Sequence, residues 1–311
     1  MNGAAQWPAL PYAEWAGTKK TLHLCTQMIG KTRLALAPPL PEWQHAGLYL
    51  DALGFTTGPM PVASEIVTAG VDVFSPSLWL RKSDGRQASV RLADGRCVAD
   101  IWHDYLRALE TLRVEVDLWD KPQETADNTL FSENTHDCTF LTEQAKRFHG
   151  ILAAVYRVME EFRSPFFGRS GVRFWWGAFD LSVVLFNGRR RTPPQDRGYT
   201  ARYDLDAEFL SAGFWPGDDR SPEPIFAGFV VPRPAGCETV PVEPGPAGWV
   251  EAMDEWMMPY EAIRTARDPA QAVRAFFDTV YRAAVTRAGW SADDFTYNAP
   301  APSSRLRAQQ R

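Results

Sequence analysis

The run Phe174-Trp175-Trp176-Gly177-Ala178-Phe179-Asp180-Leu181-Ser182 does most to limit what this chain can fold into. Read as one strand with period two, it sets Phe174, Trp176, Ala178, Asp180 and Ser182 on one face. The other face carries Trp175, Phe179, Leu181, Val183 and Leu185. Neither face suits water, so both faces of the strand read as buried. Asp180 then sits among aromatics, where a carboxylate needs a partner or is held protonated. Such a group suits a general base, and it equally suits an Arg pair that only holds the sheet.

The rest of the chain supplies the layers. A helix is expected from Glu14 to about Leu36, stopped by Pro38-Pro39. Leu48 to Gly54 and Glu65 to Phe74 read as strands. Leu78–Lys82 and Gln87–Leu92 flank Ser83-Asp84-Gly85-Arg86, a hairpin signal. Val98 to Arg113 has helical spacing, and Val114 to Trp119 alternates like a strand. After a polar connection come a helix from Thr142 to Arg163, with Thr142 as its cap, and a long strand from Arg173 to Asn187. Strands at Tyr203–Phe214 and Ile225–Val231 follow, then a helix opened by Asp268-Pro269 and running to about Ala288.

Each half therefore reads as helix, strands, helix: either an old duplication or a common α+β order. The expected fold is α+β, with antiparallel or mixed sheets and helices packed on one face. The expected division is an N-terminal lobe over residues 1–120, a connecting loop over 121–141, a C-terminal lobe over 142–298 and a disordered tail over 299–311. Loops as long as that connection are often functional or lie between lobes.

Several function classes lose support. The net charge is −5 and basic residues are interleaved with acidic ones, which speaks against a nucleic-acid partner. The one dense basic run, Arg189-Arg190-Arg191, reads as a solvated hairpin loop. No run has the length of a membrane span, and no charged-then-apolar leader is present. The four cysteines lack metal-ligand spacing and only 5 His are present, so no metal is expected. A reduced, cytoplasmic protein is the default. A Gly-rich strand-to-helix turn, a P-loop and the common hydrolase motifs are all missing, so no cofactor is implied.

What remains suggests a small-molecule pocket, with apolar walls and a few convergent polar groups. In the first helix His23, Gln27 and Lys31 recur at i, i+4 and share a stripe, with Arg33 about a quarter turn away. Gly30 beside the stripe permits close approach. The stripe either binds an anion or amine, or meets water. Glu208, Ser211 and Trp215 form another cluster, with Glu208 and Ser211 on opposite faces of their strand and Trp215 a pocket wall or a packing anchor. His136, in Glu133-Asn134-Thr135-His136-Asp137, is a candidate acid or base. Tyr260 begins the region before the last helix.

The chain resembles a bacterial family catalogued as a conserved domain of unknown function. The resemblance rests on Trp7-Pro8-Ala9-Leu10-Pro11, the segment TLHLCTQMIGKTRLALAPP from Thr21 to Pro39, and Thr56-Thr57-Gly58-Pro59. It continues through Ser83-Asp84-Gly85, Thr135-His136, Phe174 to Leu181, Ser211 to Gly217 and Pro259-Tyr260-Glu261-Ala262. It departs from that pattern after His136, where Thr139-Phe140 replace Tyr-Asp, and before Glu208, where Ala207 replaces His.

Within the family the chain looks like the branch of aziridine-forming enzymes of azinomycin-type secondary metabolism. That resemblance implies an amine displacing sulfate from the adjacent carbon, a substrate carried by an amino-group carrier protein, and a small companion protein. No cofactor is implied. Asp180, Glu208 or His136 would take the amine proton, and His23, Gln27, Lys31 and Arg33 would receive the departing anion. Trp176, Trp215 and Tyr260 would wall out water. A binding protein for a small anionic or aromatic ligand, or an interaction scaffold, is the alternative.

Overall fold

The computed structural model describes residues 7–193 and 201–291 and shows an α+β fold built on two antiparallel sheets. The first helix, α1, spans Tyr12–Leu36 and is the axis of the molecule. It starts two residues before Glu14, straight after Pro11, and stops at Ala37 ahead of the paired prolines. Every residue from Thr21 to Arg33 is buried. The polar stripe of α1 therefore faces protein and not water, and its hydroxyls are satisfied inside. Thr32 Oγ1 donates to Met28 O and lies 2.7 Å from Tyr105 Oη.

The first sheet contains β1 (Tyr49–Asp51), β2 (Gly54–Thr56), β3 (Met60–Val62), β4 (Glu65–Asp72), β5 (Ser77–Lys82) and β6 (Gln87–Arg91). Its order is β1-β2-β4-β5-β6, with β3 also on β4. The Asp84-Gly85 hairpin forms as expected, and the backbone at Gly85 takes φ 89°. The expected strand from Leu48 to Gly54 instead turns back on itself as β1 and β2. Helix α2 (Val98–Thr111) packs on β5 and β6, and α1 packs on β3 and β4.

The second sheet has the order β11-β12-β10-β9-β8-β7. Its strands are β7 (Arg173–Trp175), β8 (Asp180–Arg190), β9 (Ala207–Trp215), β10 (Ile225–Val231), β11 (Gly248–Val250) and β12 (Glu255–Pro259). The helices α3 (Thr142–Arg163) and α6 (Pro269–Ala288) cover one face of it. Between them in sequence lie the short helices α4 (Ala201–Asp204) and α5 (Tyr260–Arg264). On the covered face Gly228 lets Val280 of α6 come close, since a Cβ there would stand 2.8 Å from Val280 Cγ1. Asp268 caps α6, accepting from Gln271 N at 3.1 Å. The α3 cap differs from expectation: Leu141 holds that position and Thr142 makes no side-chain cap bond.

Two expectations fail for one reason, that alternation specifies two faces but not a partner or a turn. The run from Arg173 to Asn187 is a hairpin, β7–β8, reversing at Trp176–Phe179. Phe179 takes φ 63°, held there by burial among Phe148, Phe174 and His23. The reversal moves Trp175, not Phe174, onto the face of Asp180, because Trp175 pairs directly with Asp180. Val114–Trp119 alternates in burial yet pairs with no strand among the described residues. The run of arginines is no loop at Arg189 and Arg190, which extend β8 with exposed side chains.

Leu48 and Phe174 exchange backbone hydrogen bonds, both 2.9 Å, and so tie the two sheets together. One continuous apolar core runs from Trp7 to Trp290. The connection after α2 folds back over that helix's N-terminus, where Val98 N donates to Asp137 O and Ala99 N to Asn134 O. This return brings Cys138 to Cys97, and the two form a disulfide across 41 residues. The expectation of unpaired, reduced cysteines is corrected to that extent. Sequence spacing cannot reveal a pair made by a loop docking. Cys25 and Cys237 are free and buried. No helix among the described residues is long and apolar enough to cross a membrane. The segment expected as a tail, 299–311, lies outside the described residues.

Candidate functional site

Two clefts meet at a shared wall made by Glu124 and Ala178. The first, about 400 Å³, opens on the uncovered face of the second sheet. Registry puts Asp180, Ser182, Val184 and Phe186 of β8 on this face, with Phe209 and Ser211 of β9 and Phe229 of β10. Trp175, Trp176 and Trp43 add indole walls, and Leu34 is the one residue of α1 that reaches it.

The polar groups of this first cleft are unusual in sign. Glu42, Glu124, Asp180 and Asp204 all line it, and no Lys or Arg does among the described residues. Glu124 is exposed and the other three are half-buried, yet partial desolvation in the cleft raises all four carboxyls from their ordinary values. Asp180 is pushed furthest, to about 8, first by burial and next by the charge of Glu124. Gln44 Oε1, and Oδ1 of the Asp204 carboxyl, are buried there without a hydrogen-bond partner among the described residues. Ser182 Oγ accepts from Trp175 Nε1 at 2.8 Å, which fixes one indole beside Asp180.

The second cleft, about 200 Å³, lies on the other side of the wall. Helix α1 lines it with Tyr12, Lys19, Lys20, His23 and Leu24, and Trp215 closes one side. Its charges are mixed: Lys20 pairs with Asp219 at 2.9 Å, and His136 Nε2 lies 2.6 Å from Asp127 Oδ2. Asp127, His136 and Asp137 bring ligand-type atoms within 4.8 Å of one another. Those side chains are largely exposed and already bonded to each other and to Thr129 and Asn134. They form a solvated hydrogen-bond cluster.

Between the clefts, His23 and Gln27 act as clamps. His23 Nε2 lies 2.9 Å from both Trp176 O and Gly177 O, so it carries the hydrogen and donates to them. Burial pushes the imidazole down to about 3, with Lys19 adding to the shift, so the ring is neutral. Gln27 grips the backbone of Gln123 in both directions, donating to its O at 2.7 Å and accepting from its N at 2.8 Å. Together they fix the Trp176-Gly177 turn and the strand of loop that delivers Glu124. A Cβ on Gly177 would stand 2.5 Å from Glu124 Oε1, so the glycine makes room for that carboxylate.

The candidates thus separate. Asp180 and Trp176 line the first cleft, and His23, His136 and Trp215 line the second. Lys31 lies in an aromatic box, its Nζ 5.0 Å from the Trp119 ring, 5.7 Å from Phe131 and 5.8 Å from Trp176. Arg33 donates to Thr57 O and rests on Tyr49, and Tyr260 donates to Pro8 O at 2.8 Å within an aromatic cluster. Glu208 accepts from Asn187 at the far end of the sheet. Neither Lys31 nor Arg33 shares a cleft with Asp180. Glu124, Asp204, Gln44 and Lys19 were missed. The one sequence signal for Glu124 is its place in the long connection.

A family model matches residues 7–297, described as a family of unknown function, DUF5996. The chain belongs to that family. No curated protein matches the chain, and no solved structure does.

Proposed function

We propose that the first cleft receives a small organic amine and that the protein is an enzyme that deprotonates it, with Asp180 as the base. The observation that carries this reading is the pairing of indole walls with acceptor groups and no Lys or Arg among the described lining residues. Aromatic faces and carboxylates both attract an ammonium ion, and its N–H groups match the unpartnered acceptors Gln44 Oε1 and Asp204 Oδ1. A carboxyl with a midpoint of about 8 is matched to an amine near neutral pH. The bound cation draws that midpoint down, so Asp180 ionises as the ligand arrives and then accepts its proton.

The most concrete form of the proposal is intramolecular: the freed amine attacks the adjacent carbon and sulfate leaves, forming an aziridine. Walls that exclude water protect such a reaction from hydrolysis. This form, the carrier and companion proteins and a place in antibiotic biosynthesis rest on the resemblance alone, and a cytoplasmic setting rests on the sequence reading alone. The position of Lys31 and Arg33 outside the cleft favours a second reading, a binding protein without turnover.

The two are separated by mass spectrometry and calorimetry. With a vicinal amino sulfate ester, wild type is expected to release sulfate and close the ring, with Asp180→Asn slower by about 100-fold or more. Binding of benzyltrimethylammonium with proton release, but no turnover, supports the binding protein. Absence of both overturns the cleft as an amine site.

A further inference from the structure

The second cleft contains a buried amine that makes no direct ion pair among the described residues. Lys19 is 5% exposed, and among the described residues its Nζ has neither hydrogen bond nor ion pair. It stands 5.6 Å from the Tyr12 ring centroid and 5.4 Å from that of Phe179. Yet it opens on a cleft of about 200 Å³. Its neighbour Lys20, by contrast, is paired with Asp219 and exposed.

We propose that Lys19 is a covalent attachment site for a small uncharged aldehyde or ketone bound in this second cleft. The environment selects that class. The cleft's five carboxyl residues, Glu124, Asp127, Asp137, Asp218 and Asp219, outnumber the cations Lys20 and Arg220 that line it beside Lys19, which disfavours an anionic guest. Burial of Nζ against the Tyr12 and Phe179 rings favours the uncharged amine, which is the nucleophile. Burial lowers Lys19 to about 8, with Asp218 and Asp219 opposing that shift and Lys20 reinforcing it. Neutral His23, one turn along α1, adds no charge. In the reaction, Nζ adds to the carbonyl carbon and one proton passes from nitrogen to oxygen. The hydroxyl then takes up a second proton from solvent and leaves as water. The product is a protonated imine, and no oxidant or reductant is consumed.

The test traps that imine in the wild-type protein. Propionaldehyde with cyanoborohydride at pH 7, followed by peptide mass spectrometry, reports the rate of modification at each lysine. Lys19 is expected to react about tenfold or more faster than Lys20, Lys121 and Lys146, with a rate that rises through a midpoint near 8. Lys31 is the internal control, because it is equally buried and lowered to about 8 but lines neither cleft. Modification of Lys19 no faster than the exposed lysines overturns the proposal. So does equal labelling of Lys31, which would show that the cleft contributes nothing.

Discussion

The two clefts share one wall yet invert each other's chemistry. On one side stands a carboxyl that burial raises to about 8, and on the other an amine that burial lowers to about 8. The cause is the same: each charged form is short of a partner in a poorly solvated place. The difference lies in which element supplies the group. The second cleft is lined by the N-terminal half of α1, with its lysines and His23, while the first receives only Leu34 from that helix. A buried polar helix therefore need not serve one site. Here it divides two.

Mutations that strike one cleft and spare the other are the sharpest probes. The largest effect is expected from Gly30→Ala. A Cβ there would overlap the Trp176 indole, a rigid wall of the first cleft that also donates to Ala46 O at 2.9 Å. Overpacking of this kind costs about 1–3 kcal/mol, read as a lower denaturation midpoint. Benzyltrimethylammonium binding should fall with it, while labelling of Lys19 survives. Loss of both together would show that the clefts are not independent.

Next is His23→Leu, which removes the only N–H satisfying Trp176 O and Gly177 O from α1. Leaving buried acceptors unmet costs about 1–3 kcal/mol. His23 also sets a pH dependence. Its folded midpoint of about 3 lies below the unfolded value of about 6.5, so the unfolded chain binds the extra proton between them. Stability from this site is full above about 6.5 and declines as pH falls toward 3. The variant should lose that acid-side slope, as chemical denaturation across pH 4–7 would show.

Asp180→Asn acts with the opposite sign. The folded carboxyl holds its proton up to about 8 while the unfolded one releases it near 3.8. Across that window the folded state binds more protons, so wild-type stability falls as pH rises. Above about 8 the penalty is complete, and the variant should be the more stable there by on the order of 1 kcal/mol or more. A variant that is less stable at pH 9 than wild type would mean that Asp180 has a cationic partner.

How much of this could be read beforehand follows from the physics of each signal. The helix α1, the β5–β6 hairpin and the Asp268-capped helix announce themselves locally, through prolines, an Asp-Gly turn and a cap. The poor solvation of Asp180 was legible because its flanking residues are apolar on both faces. The hairpin at Trp176–Phe179 was not, because Phe179 takes a left-handed conformation that only its tertiary neighbours stabilise. Nor were Lys19 and Glu124 legible. One lies in a helix beside another lysine, the other in a polar loop, and only packing buries the first and sets the second against Asp180. The strands β11 and β12 are short and pair late in the chain, with little alternation to mark them.

The smallest expected effect, Glu124→Gln, bears most directly on the shared wall. Glu124 is the second cause of the Asp180 shift, after burial. Removing its charge should lower the Asp180 midpoint by a fraction of the total and leave it well above 3.8, since burial is untouched. Glu124 is not among the charges that act on Lys19, so the midpoint of Lys19 labelling should stay where it is. Side-chain carbon NMR of Asp180 and the pH dependence of Lys19 modification would follow the two midpoints in one variant. A return of Asp180 to the ordinary carboxylate range would mean that charge repulsion, not burial, makes the first cleft what it is. A shift at Lys19 would mean that the wall transmits charge between the clefts, and that they titrate as one site.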